Sequence, residues 1–168
     1  MTMKEISRDF SDTAYDMKFP YETKSLSPAD TEAVGEELAR LFEEGESLPP
    51  FIALYGDLGV GKTAFVRGFA GRLAPKARVK SPTFALVNEY KGEKLSVFHF
   101  DMYRISDEDE LYSIGFYDYA DRCGICLTEW SENIEFALPD SYLRAEIVKD
   151  DPENTPDSRK ITIQLIKR

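Results

Sequence analysis

The chain has 168 residues, of which 42% are hydrophobic and 31% are charged, and this composition is typical of one soluble folded domain. No apolar run approaches the roughly 18 residues of a membrane span, the charged N-terminus is no secretory signal, and two cysteines cannot form a disulfide framework, so we expect a cytoplasmic protein. The net charge of −10 excludes a protein that holds nucleic acid by bulk charge alone.

The N-terminal part of the chain is predicted to contain an extension, a strand and a helix. Residues 1–20 lack clear periodicity and are interpreted as a loose extension, which leaves a domain over residues 21–168. A weak strand pattern covers Tyr21–Leu26. Ser27-Pro28-Ala29-Asp30 then has the composition of a helix start, and the apolar stripe that follows ends at Gly45.

Two further elements flank a glycine-rich segment. Phe51–Tyr55 is a short apolar run between Pro50 and Gly56, which is the pattern of a buried strand. Phe65, Phe69 and Leu73 recur at helical spacing after that segment. They predict a second amphipathic helix that ends before the next proline.

The middle of the chain is predicted to form a hairpin and a short helix. Phe84–Tyr90 and Leu95–Asp101 are strand-like runs on either side of a glycine-containing turn. Ser106, with Asp109 three residues later, predicts the cap of a short acidic helix that Gly115 interrupts.

Three late strands complete the predicted fold. They cover Ile125–Trp130, Tyr142–Val148 and Ile161–Ile166, and the polar segment Asp150–Ser158 is interpreted as the loop between the last two. The order of elements predicts a single α/β domain with a central mixed sheet flanked by helices.

The segment from Gly56 to Thr63 matches the phosphate-loop pattern G-x-x-x-x-G-K-[ST]. It follows a predicted strand and opens a predicted helix, so a nucleotide-binding loop is favoured over a glycine-rich turn without a ligand. We expect Lys62 to bridge β- and γ-phosphate oxygens and the Thr63 hydroxyl to ligate Mg²⁺. The predicted nucleotide-binding residues of the loop are Asp57, Leu58, Gly59, Val60, Gly61, Lys62 and Thr63.

Two acids stand at the ends of predicted strands. Asp101 ends one mostly apolar strand and Glu129 stands near the end of another. Ligands of open α/β sheets gather at the carboxyl ends of strands, so both acids are candidates for the magnesium shell, the alternative being that one of them only caps a following helix. The sequence lacks the Asn-Lys-x-Asp guanine loop that is usual in GTP-specific proteins, which favours ATP as the nucleotide.

Basic residues cluster in a region that we call the basic island, residues 62–80. From Asp57 to Lys80 six bases accompany one acid, giving +5, whereas Asp101 to Asp121 carries seven acids and one base, giving −6. A basic island in an acidic chain indicates a site for phosphate, RNA or an acidic partner, or else only a solvated helix face. Its members are Lys62, Arg67, Arg72, Lys76, Arg78 and Lys80.

Other chemically suggestive residues have simpler interpretations. Cys123 and Cys126 have C-x-x-C spacing, but the second lies in a predicted strand, so structural cysteines are favoured over a redox pair. His99 shares a strand face with Asp101 and is expected to support that acid, with direct chemistry as the alternative. The aromatic residues Phe116, Tyr117 and Tyr119 are interpreted as core or interface residues in preference to a base-stacking platform.

Four segments in order resemble one family: Tyr55-Gly56-Asp57-Leu58-Gly59-Val60-Gly61-Lys62-Thr63, then Lys80-Ser81-Pro82-Thr83-Phe84, His99-Phe100-Asp101-Met102-Tyr103-Arg104 and Leu127-Thr128-Glu129-Trp130. They are similar to the TsaE (YjeE) family, the small ATPases of bacterial tRNA threonylcarbamoyladenosine (t6A) synthesis. The resemblance runs from about Ser27 to Pro139. It implies a compact P-loop NTPase fold whose ATPase is weak alone and which acts with the proteins TsaB and TsaD, with tRNA approached through them or at the basic island.

The resemblance also implies roles for individual residues. Thr63 and Glu129 match the family's magnesium ligands, and Asp101 matches its strand-end aspartate. Thr83 matches a residue that senses the γ-phosphate, so Lys62, Asp101 and Thr83 are the expected catalytic residues. Two further matches, a tryptophan beside the site and a late arginine near the nucleotide, are Trp130 and Arg159.

The phosphate loop predicts an ATP-binding protein, and the resemblance implies that it is an ATP-hydrolysing subunit of the t6A machinery. Two alternatives stay open: a small-molecule kinase, which would need arginines in a lid over the phosphates, and a nucleotide-dependent scaffold. No arginine-rich lid segment is visible in the sequence.

Overall fold

The computed structural model describes residues 18–82 and 86–168. The strands are β1 (Tyr21–Ser25), β2 (Phe51–Tyr55), β3 (Val87–Tyr90), β4 (Ser96–Asp101), β5 (Gly124–Glu129), β6 (Ser141–Asp151) and β7 (Thr155–Lys167). The helices are α1 (Pro28–Glu43), α2 (Lys62–Leu73), α3 (Glu108–Ser113), α4 (Phe116–Ala120) and a 3₁₀ helix (Ser131–Ala137). In this part of the chain, the strands form one seven-stranded sheet in the order β1-β7-β6-β2-β5-β4-β3.

The centre of the sheet is parallel and its margins are antiparallel. Strand β2 lies between β6 and β5 and is parallel to both, and β4 is parallel to β5. Strands β1, β3 and β7 pair antiparallel with their neighbours. The parallel centre brings the carboxyl ends of β2, β4 and β5 to one edge, and all five residues of β2 are buried because both faces are covered.

Helices α1 and α2 cover one face of the sheet and approach each other closely. A Cβ atom on Gly68 would lie 1.8 Å from the main-chain oxygen of Glu32, and one on Gly35 would lie 2.2 Å from the main-chain oxygen of Phe65. Real Cβ atoms do not come so near to other atoms. The two glycines therefore permit the helix contact that fixes the position of α2, whose first turn carries Lys62.

The other face is covered by α3, α4 and the 3₁₀ helix, and its core is aromatic. The ring of Phe100 lies 5.4 Å from that of Phe116 and 5.5 Å from that of Tyr119, in edge-on arrangements. Tyr117 packs beside Phe116 at 5.3 Å and donates a hydrogen bond to Glu108 Oε1 at 3.0 Å. This packing agrees with the prediction of core or interface residues: Phe116 is buried, and Tyr117 and Tyr119 are partly buried against the same cluster.

Most predicted elements are confirmed. Of the predicted strand Phe84–Tyr90, residues 84 and 85 lie outside the described residues, and the observed strand begins at Val87. The helix starts differ from the prediction in one place. Ser27 caps α1, since its Oγ accepts from the amide of Asp30 at 3.2 Å. The predicted cap at Ser106 is wrong: Asp107 caps α3, with Oδ1 accepting from the amide of Glu110 at 2.9 Å. An aspartate is as good a cap as a serine. The amide of Ser106 instead donates a hydrogen bond to Glu110 Oε2 at 2.8 Å.

The predicted loop between the last two strands is also wrong. Strand β6 continues to Asp151 and β7 begins at Thr155, so that only residues 152–154 form the turn. The pairing Asp151↔Thr155 lies within the segment interpreted as a loop. This part of the hairpin is largely exposed, so it needs no apolar face and gives no strand pattern. Residues 1–17 of the predicted N-terminal extension lie outside the described residues.

Candidate nucleotide-binding site

The phosphate-loop segment connects β2 to α2, as predicted. Three of its glycines have positive φ angles: 144° at Gly56, 79° at Gly59 and 114° at Gly61, the residue that precedes the helix. A side chain would strain the backbone at these positions. The loop is further held by Arg159, whose Nε donates a hydrogen bond to the main-chain oxygen of Val60 at 2.8 Å. The late arginine thus contacts the loop itself.

Lys62 lies at the start of α2 with its side chain folded back over the loop. It is only 5% exposed, its Nζ donates to the main-chain oxygen of Gly56, and the same atom lies 3.9 Å from the ring centroid of Trp130. Burial lowers the pKa of Lys62, while the nearby carboxylates Glu129, Glu132 and Asp101 oppose that shift. The ammonium group therefore lies between the first residue of the phosphate loop and the ring of Trp130.

The two predicted strand-end acids meet Thr63 at the same edge. Strands β4 and β5 pair with Asp101 opposite Glu129, and both side chains are buried, at 6% and 4% exposure. Thr63 Oγ1 lies 3.5 Å from Glu129 Oε1. Asp101 Oδ1 accepts a hydrogen bond from the amide of Tyr103 at 2.9 Å. A hydroxyl and two carboxylates supply the hard oxygen ligands that Mg²⁺ prefers, so these residues fit a magnesium ion that also binds phosphate oxygens.

A cavity of about 670 Å³ joins these groups, which is within the usual range of small-molecule sites. Its lining includes Trp130 and, from the phosphate loop, Leu58, Gly59, Gly61, Lys62 and Thr63, together with both acids. Asp57, Val60 and Arg159 are not part of this lining, and Thr83 lies outside the described residues. Most of the residues that line the cavity are therefore ones that the sequence analysis predicted as site residues.

Two lining residues were not among the predicted site residues, although Ser81 belongs to the Lys80–Phe84 segment, which carries part of the family resemblance. Tyr103 is 60% exposed and its ring lies 5.0 Å from that of Trp130, so that the two form an aromatic pair at the cavity. Ser81 lines the same cavity. The position of Tyr103, two residues beyond the carboxyl end of a strand that ends in Asp101, is the signal that could have identified it.

The expectation that His99 supports Asp101 is wrong. Its Nε2 lies 2.6 Å from Glu129 Oε2 and its side chain is fully buried. In the parallel register His99 faces Leu127, and Glu129 is two residues further along β5. His99 therefore contacts the acid on the neighbouring strand instead of Asp101.

The basic island separates into two parts. Arg67 pairs with Glu32 and Arg72 with Glu43, each at 3.0 Å, so these arginines join α2 to α1. Lys76, Arg78 and Lys80 are exposed and line one open groove. Among the described residues, these three have no ion-pair partner within 4.0 Å. The surface available to an anionic partner is thus the second part, which we call the basic groove.

The two cysteines are free thiols. Cys126 is buried in β5 and burial raises the pKa of its thiol to about 12, whereas Cys123 is exposed. This difference fits the structural interpretation, since a redox pair needs an accessible thiolate.

Comparisons with known proteins show which family and which fold the chain is similar to. The family model described as "Threonylcarbamoyl adenosine biosynthesis protein TsaE" matches residues 25–161. Two proteins named "tRNA threonylcarbamoyladenosine biosynthesis protein TsaE" are similar to the chain. The one from Bacillus subtilis is 36% identical over 143 residues, which are 85% of this chain and 84% of that protein. The one from Haemophilus influenzae is 41% identical over 104 residues, 61% of this chain and 66% of that protein.

A solved structure is similar over most of its length. The crystal structure of Bacillus subtilis YdiB matches with a TM-score of 0.67 and 31% sequence identity, covering 88% of this chain and 86% of that one. Separately, no helix within the described residues has the length and apolar character needed to cross a membrane.

Proposed function

Since the chain belongs to the TsaE family, we propose that it binds and hydrolyses ATP with Mg²⁺ in the cytoplasmic synthesis of threonylcarbamoyladenosine in tRNA, together with TsaB and TsaD. The observation that carries the ATPase proposal is the convergence of Lys62, Thr63, Asp101 and Glu129 on one cavity beside the phosphate loop. These residues come from three separate elements, and the fold brings their polar groups to one edge of the sheet.

Each residue has a distinct proposed role. The loop amides from Asp57 to Gly61 and the Lys62 ammonium bind the triphosphate, helped by the positive end of α2. Thr63 and Glu129 hold the magnesium ion. When bound, Mg²⁺ neutralises charge on the β- and γ-phosphates.

Asp101 is proposed to orient the attacking water and receive its proton. Its carboxylate is buried beside the cavity and is fixed at Oδ1 by the amide of Tyr103, which leaves Oδ2 for that task. Thr83 remains the proposed sensor of the γ-phosphate. Trp130 is proposed to flank the bound nucleotide, and Arg159 supports it indirectly by holding the loop at Val60.

We propose ATP over GTP because no guanine-recognition motif is present in the sequence. Competition of the two nucleotides for the site, followed by the fluorescence of Trp130, measures this preference. GTP binding as tight as ATP binding would contradict it.

The decisive experiment measures ATP hydrolysis with and without TsaB and TsaD. We expect slow turnover by the isolated chain and faster turnover in the mixture. Asp101→Asn keeps the acceptor for the amide of Tyr103 but loses the negative charge, so hydrolysis should fall by about 10²–10⁴-fold while ATP still binds. The matched control is Asp118→Asn, at an exposed position of α4.

The other functional classes give different results in the same experiment. Unchanged hydrolysis in Asp101→Asn would overturn the role of that acid. ATP binding without partner-stimulated hydrolysis would favour a nucleotide-dependent scaffold, and phosphate transfer to an added small molecule would favour a kinase.

The basic groove is the proposed contact for an anionic partner surface, whether of a protein or of tRNA. Lys76→Glu with Arg78→Glu should weaken assembly with TsaB, TsaD and tRNA, and more strongly at low salt, because exposed charges are screened. Arg72 is unsuited to this test because it pairs with α1. Assembly that is unchanged at low salt would leave these residues as a solvated surface.

A further inference from the structure

A line of buried polar contacts leads from Glu129 at the nucleotide cavity to the main chain of Lys80. It passes through the side chains of His99 and Tyr90, neither of which has a role in the proposed ATPase. Both are buried, with 0% and 6% exposure. Groups of this kind are costly to bury without partners, so their arrangement is strongly determined by their contacts.

The first contact fixes the orientation of the Glu129 carboxylate. His99 Nε2 lies 2.6 Å from Oε2, which commits that oxygen to the imidazole. The other oxygen, Oε1, is the one that lies 3.5 Å from Thr63 Oγ1. His99 therefore determines which oxygen of Glu129 faces the proposed magnesium ligand Thr63.

The second contact extends the line to a different wall of the cavity. His99 Nδ1 lies 3.4 Å from the Tyr90 hydroxyl, which donates to the main-chain oxygen of Lys80 at 3.1 Å and accepts from the amide of Lys80 at 3.3 Å. The Tyr90 hydroxyl thus contacts both polar main-chain groups of Lys80, and the side-chain amide of Asn88 also donates to the Lys80 oxygen at 3.1 Å. The next residue, Ser81, lines the cavity.

We infer that His99 and Tyr90 are positioning residues that hold Glu129 and the Lys80–Ser81 segment in a fixed relation across the cavity. The inference rests on the proposed function for the identity of the ligand, ATP with Mg²⁺. It goes further in two ways. His99 is assigned the orientation of the metal ligand Glu129, and the Tyr90 hydroxyl is assigned the placement of the Lys80–Ser81 segment on the opposite wall of the cavity. Mutation of a residue that orients a metal ligand through a hydrogen bond commonly lowers metal affinity or activity by about 10–100-fold.

Variants at position 99 test the first half. His99→Leu removes the donor to Glu129, and His99→Gln can still place an amide N–H near Oε2. We expect His99→Leu to raise the Mg²⁺ concentration for half-maximal hydrolysis, measured with TsaB and TsaD, by about 10-fold or more. His99→Gln should recover most of that loss. Metal-free ATP binding, followed by Trp130 fluorescence in EDTA, should stay within about twofold of wild type in both, because Lys62 and the loop are untouched.

Variants of buried tyrosines test the second half. Tyr90→Phe removes only the hydroxyl, and Tyr142→Phe does the same at a tyrosine that is 5% exposed in the other core. In hydrogen exchange of the whole chain, Tyr90→Phe should speed exchange of the Lys80 amide by about 10-fold, and Tyr142→Phe should leave it unchanged. Tyr90→Phe should also weaken ATP binding by several-fold, since the Lys80–Ser81 segment loses the anchor at the Lys80 amide.

The outcomes separate this inference from the proposed function. Wild-type chain that shows no Mg²⁺-dependent ATP turnover with its partners overturns the proposed function, and the exchange of the Lys80 amide still tests the tyrosine contact. Normal wild-type turnover combined with an unchanged Mg²⁺ requirement in His99→Leu overturns the role of His99. Equal loss in His99→Leu and His99→Gln also overturns it, because a general packing defect would then explain both. Unchanged Lys80 exchange in Tyr90→Phe overturns the role of the hydroxyl.

Discussion

Two glycines in the same helix should respond to alanine with opposite signs. A Cβ on Gly68 would lie 1.8 Å from the main-chain oxygen of Glu32, whereas a Cβ on Gly71, one turn later, meets nothing within 4 Å. In Gly71→Ala only the helix propensity changes, which stabilises by about 1 kcal/mol. In Gly68→Ala the same gain is opposed by a clash between two main chains, which can be relieved only by moving α2 away from α1.

Overpacking of this kind typically costs about 1–3 kcal/mol, and a contact between two main chains belongs at or above the upper end. The net loss for Gly68→Ala is therefore about 2 kcal/mol. A domain of this size shifts its Tm by about 2–4 °C per kcal/mol, so we expect a fall of about 4–8 °C for Gly68→Ala and a rise of about 2–4 °C for Gly71→Ala.

Thermal unfolding followed by circular dichroism in the absence of nucleotide measures both variants under one condition. Because α2 begins with Lys62 and Thr63, its displacement should also weaken ATP binding in Gly68→Ala but not in Gly71→Ala. A Gly68→Ala variant that is as stable as the wild type would refute the close helix contact. A loss of stability in Gly71→Ala would refute the propensity argument.

Three further predictions concern the site and the thiols. Glu129→Gln keeps the size and an acceptor for His99 but removes the charge, so Mg²⁺-dependent hydrolysis with TsaB and TsaD should fall by about 10²–10³-fold while ATP binding changes much less; a wild-type rate would show that the metal assignment is wrong. Lys62→Ala removes a cation proposed to touch the phosphates, so it should weaken ATP binding itself, by about 10-fold or more in a fluorescence titration, and an unchanged affinity would count against that contact. Iodoacetamide at pH 8 should modify Cys123 alone in the folded protein, since burial raises the pKa of Cys126 to about 12, and both thiols after unfolding in urea; mass spectrometry that finds Cys126 labelled in the folded state would contradict its burial.

The parts of the site that the sequence predicted are those set by local rules. The segment from Gly56 to Thr63 combines a spacing pattern with a strand before it and a helix after it, and the structure has that arrangement. The positions of Asp101 and Glu129 followed from the general rule that parallel strands bring their carboxyl ends to one edge.

The parts that the sequence did not predict depend on pairing between distant segments. Alternation along β4 places His99 and Asp101 on one face, but only the register with β5 shows that Glu129 is the acid within reach of His99. The contact of Tyr90 with Lys80 depends likewise on how β3 meets the segment after α2. Local composition gives no information about such contacts.

The hydrogen bond from Arg159 to Val60 has a consequence for folding of the chain during its translation. It joins residues 99 positions apart, and β7, which carries Arg159, is paired with both β1 and β6. During translation the glycine-rich loop leaves the ribosome long before this arginine does, and contacts of such large sequence separation form late. Nascent chains that stop before β7 should therefore fail to retain ATP on an affinity resin, so that the emerging polypeptide gains its ligand only when the final strand has joined the sheet.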